Sequence, residues 1–172
     1  MIEVRPLQSN DLAQVVDIDV FEAGTQWYKN IDGHLQIFEK EWQRPTWDAE
    51  YWPAKLAQWA QKLKPDLHLG AFIGARMVGI AGLRYRLTPE MAQLTSLYID
   101  RHHRKQGVAS QLVHEVFRLG QGSGAQSIYV SSKPSIPAVG FYTRHGFRLT
   151  AEPHPEMFAL EPQDIHMVKP FS

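Results

Sequence analysis

The chain contains no cysteine, no surplus of either charge and no long apolar run, and each absence removes a class of function. Without cysteine there is no disulfide, no thiolate metal site and no covalent thiol nucleophile. Lys plus Arg and Asp plus Glu number 18 each, so no global field draws the chain to nucleic acid or to an anionic membrane. No stretch approaches the roughly 18 apolar residues of a membrane span. Met1–Asn10 lacks the basic-then-apolar order of a secretory signal. The expectation is a soluble, cytoplasmic protein with no nucleic-acid or membrane partner. The eight histidines show no ligand spacing, so no metal is expected.

What is present fits one packed domain over residues 1–172, with 44% hydrophobic and 21% charged residues. Ile2–Leu7 alternates as a short strand, and Ser9, Asn10 and Asp11 offer caps for a helix through Leu12, Val15, Val16 and Asp19. Phe21–Trp52 is rich in Trp and Tyr and shows no sustained period; short helices and loops are expected there. Asp48–Leu63 has Trp52, Leu56, Trp59 and Leu63 near helical spacing, with Pro53 near its start.

From His68 the texture changes. Leu67–Ile73, Met77–Leu87 and Ala92–Asp100 read as strands. Gly107–Leu119 is a helix with Val108, Leu112, Val113, Val116 and Phe117 on one face. A strand over Ser127–Ser131, a short helix over Ser135–His145, and strands over Phe147–Thr150 and Ile165–Lys169 follow, the last two separated by a Pro-rich loop. Mixed elements in this order call for a sheet with helices on its faces.

The strongest local signal is the turn Arg104-Lys105-Gln106-Gly107-Val108-Ala109-Ser110, between a strand and a helix. A helix N-terminus carries unpaired N–H groups and the positive end of the dipole, which suit a phosphate. Gly107 lets an anion approach the backbone, Ala109 keeps the next position small, and Arg101, Arg104 and Lys105 add positive charge. Taken alone, this chemistry is equally that of a solvated basic loop. The turn lacks the Gly-Lys-Ser/Thr of a nucleotide P-loop and the three glycines of a dinucleotide turn.

Arg104-x-x-Gly107-x-Ala109 resembles the Arg/Gln-x-x-Gly-x-Gly/Ala signature of the GNAT superfamily of N-acetyltransferases. Leu97-Tyr98-Ile99 stands at that family's usual distance before it. Ser135-Ile136-Pro137-Ala138-Val139-Gly140-Phe141-Tyr142 and Gly146-Phe147 are similar to the family's downstream segments. The resemblance implies an α/β (α+β) fold: a mixed, mostly antiparallel sheet of about six to seven strands, flanked by helices, with a splayed parallel pair. It implies acetyl-CoA as acetyl donor, held by Leu97, Tyr98 and Ile99, by Arg104, Lys105, Gln106, Gly107, Val108, Ala109 and Ser110, and by Ser135 and Tyr142. Ser135 stands where the family has Asn. The family also allows for a homodimer.

The implied reaction is direct attack of an amine on the thioester, with Tyr142 as general acid toward the leaving thiolate. A phenol near 10 and a thiol near 8.5 make full transfer uphill by about 2 kcal/mol, so Tyr142 acts in part as a hydrogen-bond donor. A Lys-like amine costs about 4.6 kcal/mol to deprotonate at pH 7, an α-amine only about 1 kcal/mol. The base is sought among Glu22, Glu41, Glu50 and Glu90, with Glu22 preferred because the family builds its acceptor site after the first helix. Trp27 and Tyr28 are the candidate acceptor contacts, and a small-molecule amine is slightly favoured as acceptor. The alternative is an acyl-CoA-binding sensor on the same fold without turnover.

Overall fold

A computed structural model covers Met1–Ser172. Strand β1 (Ile2–Pro6) leads into a 3-10 segment over Ser9–Asp17 where an α-helix was expected. Asp11 caps its first turn, accepting from the Gln8 N–H at 2.7 Å and from both Arg5 guanidinium nitrogens.

The expected short helices and loops after Phe21 are instead a hairpin, β2 (Glu22–Ile31) and β3 (His34–Arg44). Its two-residue turn is Asp32-Gly33, both with positive φ, which is the geometry a twisted hairpin requires. The strands alternate poorly in hydrophobicity because most of both faces is exposed. The hairpin forms its own two-stranded sheet, docked on the main body where Tyr28 N–H donates to Pro134 O at 2.7 Å and Trp27 bridges Ser135.

Helix α1 (Tyr51–Lys62) starts where Asp48 Oδ1 accepts from the Glu50 and Tyr51 N–H groups, and it buries Trp52 and Trp59. Strands β4 (Leu67–Ile73), β5 (Arg76–Thr88) and β6 (Met91–Ile99) form a meander. Helix α2 (Val108–Gly122), β7 (Ser127–Ser132), α3 (Ile136–Arg144) and the two-residue β8 (Arg148–Leu149) follow. The Pro-rich loop contains a short helix, α4 (Pro155–Leu160), before β9 (Ile165–Pro170) closes the chain.

The seven-stranded sheet has the order β1-β4-β5-β6-β7-β9-β8, and every pairing is antiparallel except β6 with β7. On one face, Val108, Leu112, Val113 and Val116 of α2 pack against Leu69, Ala71, Val78, Ala81 and Leu83. On the other, α1 and the 3-10 segment enclose Val15, Ile18, Trp47, Trp52, Trp59, Met77 and Ile80. The Trp residues are therefore mostly core, where each rewards burial of a large area. No helix is long and apolar enough to cross a membrane.

The feature that positions the site is a fork. The parallel register of β6 and β7 runs from Met91↔Ser127 to Leu94↔Val130 and stops. Past it, β6 stays on β5 as far as Ile99, while β7 stays on β9 as far as Ser132. The cause is local: Gly82 pairs with Ser96 but Leu83 pairs with Leu94, so Thr95 is an extra residue in β6. Such a bulge bends its strand and increases its twist. Gly82 makes room for it, since a Cβ there would stand 2.2 Å from Thr95 Oγ1 and 2.9 Å from Ser96 Oγ.

Candidate active site

Beyond Leu94 the β7-facing backbone groups of β6 have no strand partner. A strand edge left open inside a fold is a row of donors and acceptors awaiting a ligand. The edge forms one wall of a cleft of about 1010 Å³, walled opposite by Val130, Ser131 and α3 and floored by the start of α2. That volume lies at the upper end of small-molecule sites, enough for a nucleotide-sized ligand.

The expected phosphate cradle lies at one end. Lys105 and Gly107 both have positive φ, and Gly107 caps α2 in a left-handed conformation with no side chain bonding the first N–H groups. A Cβ on Gly107 would meet no protein atom within 4 Å. The cradle thus presents uncapped N–H groups to open space, the arrangement that anions occupy at helix N-termini.

The cations expected beside it divide. The Arg104 guanidinium turns inward, donating to Phe21 O at 2.7 Å and Ile99 O at 3.2 Å, and burial lowers its pKa from the ordinary value. Arg101 lies over the Phe21 ring and 3.8 Å from Asp19. Both brace the turn; Arg104 also lines the cleft, whereas Arg101 does not. Asp100 completes the brace: fully buried, it accepts from the Asp19 N–H at 2.8 Å and pairs with His103 at 2.7 Å. Across the whole cleft, Arg44, Arg104, Lys105, Lys133 and Arg144 face one carboxylate, Glu22. A neutral chain has concentrated positive charge where a polyanion would lie.

Most expected donor-site residues come together in this cleft: Leu97, Tyr98, Ile99, Arg104, Lys105, Gly107, Val108, Ala109, Ser110 and Tyr142. Gln106 does not line it; its amide donates to His102 O. Ser135 does not either. It is fully buried as the N-cap of α3, its hydroxyl accepting from Ala138 N–H at 3.3 Å. Ser110 donates to His145 Nε2 at 3.0 Å while His145 Nδ1 donates to Phe141 O, which ties α2 to α3. Tyr98 lines the cleft, but its ring turns to the opposite face and stacks on Trp59 at 5.5 Å.

Tyr142 is nearly buried between Phe141 and Phe147, with ring centroids 5.4 and 5.5 Å away. Burial pushes its phenol well above the ordinary value, with Tyr98 and then Asp164 adding to the shift. Tyr28 lines the cleft; Trp27 instead packs against Trp42 at 5.4 Å. Glu22 lines the cleft too, but its carboxylate is held by Arg44 at 3.3 Å, and Arg44 also donates to Val20 O. Glu41, Glu50 and Glu90 are exposed and line neither this cleft nor its neighbour.

One group escaped sequence reading. Asp164 sits in the turn between α4 and β9, accepts from Ser131 Oγ at 3.1 Å, and has its pKa raised to about 7 by burial, then by Glu161. The Pro-rich loop that carries it shows no motif, and only the fold brings it to the fork. No group of three or more His, Asp or Glu side chains is placed to hold a metal ion.

No curated protein matches the sequence. Among solved structures, a nourseothricin acetyltransferase superposes with a TM-score of 0.77 at 16% identity, covering 99% of each chain. A Bacillus anthracis str. Ames protein assigned as a streptothricin acetyltransferase, in complex with acetyl coenzyme A, gives 0.75 at 14% identity over 100% of this chain and 99% of that one. The ribosomal-protein-S18-alanine N-acetyltransferase of Escherichia coli gives 0.62 at 15%, over 100% and 95%. At such identities the likeness is one of fold. The family model for the acetyltransferase (GNAT) family, however, matches residues 27–147, which span most of the hairpin, the forked strands, the cradle and Tyr142. The chain belongs to the acetyltransferase (GNAT) family, whose acetyl donor is acetyl-CoA.

Proposed function

We propose that this protein transfers the acetyl group of acetyl-CoA to a primary amine by direct attack within the fork. The observation that carries the reading is the coincidence of three features in one cleft: an open β6 edge, an uncapped helix N-terminus and a buried phenol. Acetyl-CoA, when bound, supplies the thioester: C–N forms, C–S breaks, and the C–S electron pair leaves on sulfur. The residues fit that ligand. The Gly107 cradle offers backbone N–H groups to a pyrophosphate, and Lys105 and Arg144 face the same space. The Leu97 backbone and the Ile99 N–H, which have no β7 partner, offer an N–H to a carbonyl oxygen gaining charge and partners to the arm, while Ile99 O is taken by Arg104.

Tyr142 serves the leaving sulfur. Its raised pKa makes it a weaker acid than a free phenol, so it stabilises developing charge chiefly by donating a hydrogen bond, and proton passage to sulfur comes late. Ser135 supports this from below by starting α3, which carries Tyr142, rather than by touching the donor.

The test is thiol release from acetyl-CoA over a panel of amines, with product identified by mass. Turnover on at least one amine, abolished in Tyr142→Phe while acetyl-CoA still binds, is the expected result. Tight acetyl-CoA binding with no turnover on any amine would replace the enzyme by a non-catalytic acyl-CoA sensor.

A further inference from the structure

The cradle and α3 are joined by a hydrogen-bonded chain whose proton positions follow from its geometry. His145, the C-cap of α3, lines the donor cleft together with Ser110. Its Nδ1 lies 2.9 Å from Phe141 O, a carbonyl that can only accept, so Nδ1 carries a proton. In the neutral imidazole Nε2 is then bare. Ser110 Oγ stands 3.0 Å from Nε2, so the hydroxyl proton points at that nitrogen. Ser110 is left with lone pairs for any other neighbour. That is the wrong polarity for its place. Ser110 immediately precedes Gln111, whose N–H, bonded to Gly107 O at 3.0 Å, is the first of the helical ladder. Its hydroxyl therefore belongs to the turn of uncapped N–H groups that suits a phosphate.

We propose that His145 is a positioning residue for the pyrophosphate of the acetyl donor: on taking a proton it turns the Ser110 hydroxyl from acceptor to donor toward a phosphate oxygen, so acetyl-CoA binds with uptake of a proton. The proposal rests on the acetyltransferase reading and adds to it a regulation of the donor site by pH. A proton from water adds to Nε2, and the new Nε2–H donates to Ser110 Oγ. The serine proton, released from Nε2, rotates to the phosphate oxygen. No bond between heavy atoms changes. The hydrogen bond gained at the phosphate is charge-assisted, and the imidazolium adds positive charge behind it. Histidine suits such a step because its charge changes between about pH 5 and 8.

The charged groups that face His145 are basic. From α2 comes His114, its ring 5.6 Å away, beside the Ser110 hydroxyl. From α3 come the Phe141 ring at 4.2 Å and Arg144, which lines the same cleft, as does Lys105 of the turn. From β9 comes Lys169, whose Nζ lies 2.8 Å from where a Cβ on Gly146 would stand. The single carboxylate lining the cleft, Glu22, is held by Arg44. An imidazolium at His145 thus finds its counter-charge in the bound pyrophosphate rather than in the protein.

The binding probe is acetyl-dephospho-CoA, which keeps the pyrophosphate but lacks the 3′-phosphate, a monoester that itself titrates near pH 6. Calorimetry in two buffers of different ionisation enthalpy counts the protons taken up. At pH 6.5 the wild-type protein should take up about half a proton, and its affinity should rise about fivefold from pH 8 to pH 6. His145→Gln should abolish the uptake and flatten the pH profile. Ser110→Ala should weaken binding about fivefold at pH 6 and less than about twofold at pH 8, where the hydroxyl proton is committed to Nε2. In the wild-type protein, imidazole NMR should show the His145 titration moving to higher pH when acetyl-CoA is added, a readout that needs no variant. Wild-type binding without proton uptake, uptake that survives His145→Gln, or a His145 titration indifferent to acetyl-CoA overturns the proposal. Failure of the wild-type protein to bind acetyl-CoA at any pH would instead overturn the acetyltransferase reading beneath it.

Discussion

The two sides of the forked strand pair are opposites built from one break in a sheet. On the α2–α3 side lies a large cleft with five cations against one carboxylate and an uncapped helix N-terminus. On the α1–α4 side lies a small pocket with two lysines, two carboxylates and unpaired side-chain oxygens. The first suits a polyanion; in the second the charges balance. Both depend on the Thr95 bulge, which turns β6 away from β7 and leaves a passage at the crotch. One extra residue in one strand thereby separates a large cleft from a small pocket while keeping them in contact.

The comparison is broken most severely at the cradle. Gly107→Glu puts a side chain at φ +87° and a carboxylate where phosphates would sit. The strain alone costs about 1–2 kcal/mol, and charge repulsion adds to it. Acetyl-CoA affinity should fall about 100-fold by calorimetry, with amine binding untouched. Second in size is Gly82→Ala, which drives a Cβ into Thr95 Oγ1 and so attacks the bulge that both sides share. It should lose about 1–3 kcal/mol of stability in urea unfolding, and both ligands should bind less well.

A smaller effect separates the two sides by pH. Asp164 has a folded-state pKa raised to about 7, above its unfolded value, so the folded state favours the proton. Its contribution to stability is full below about pH 4 and is lost as pH rises through 7. Asp164→Asn should therefore stabilise the protein, on the order of 2 kcal/mol at pH 8 and less at pH 5. Thermal melts at the two pH values check the sign. The smallest change is Glu22→Gln. It removes one partly exposed ion pair with Arg44, worth about 0–1 kcal/mol, and should alter amine turnover less than threefold.

The donor side was far more legible in the sequence than the acceptor side, and the reason is physical. A phosphate cradle is continuous in the chain: a strand, a turn with Gly107 and an α2 face of Val108, Leu112, Val113 and Val116 stand in one run. The smaller pocket is assembled from α1, β6, β7 and the α4–β9 turn, so no window of sequence contains it. Asp164 follows Glu161 and Pro162 in a loop without period, and its environment comes wholly from tertiary packing. The hairpin was missed for another reason. A strand pair that is mostly exposed on both faces has little need of alternation, and its one clear signal is the Asp32-Gly33 turn. Ser135 shows the converse: a motif position stands out in the sequence, but the serine side chain caps α3 and does not line the cleft.

The central claim is that the forked cleft binds acetyl-CoA through the α2 N-terminus. It is tested most directly by titrating acetyl-CoA into the wild-type protein, Gly107→Glu and Asp164→Asn under one buffer and salt condition. The account predicts binding to the wild-type protein and to Asp164→Asn with affinities within about threefold, and a loss of about 100-fold in Gly107→Glu. Equal affinity in wild-type and Gly107→Glu proteins would contradict it.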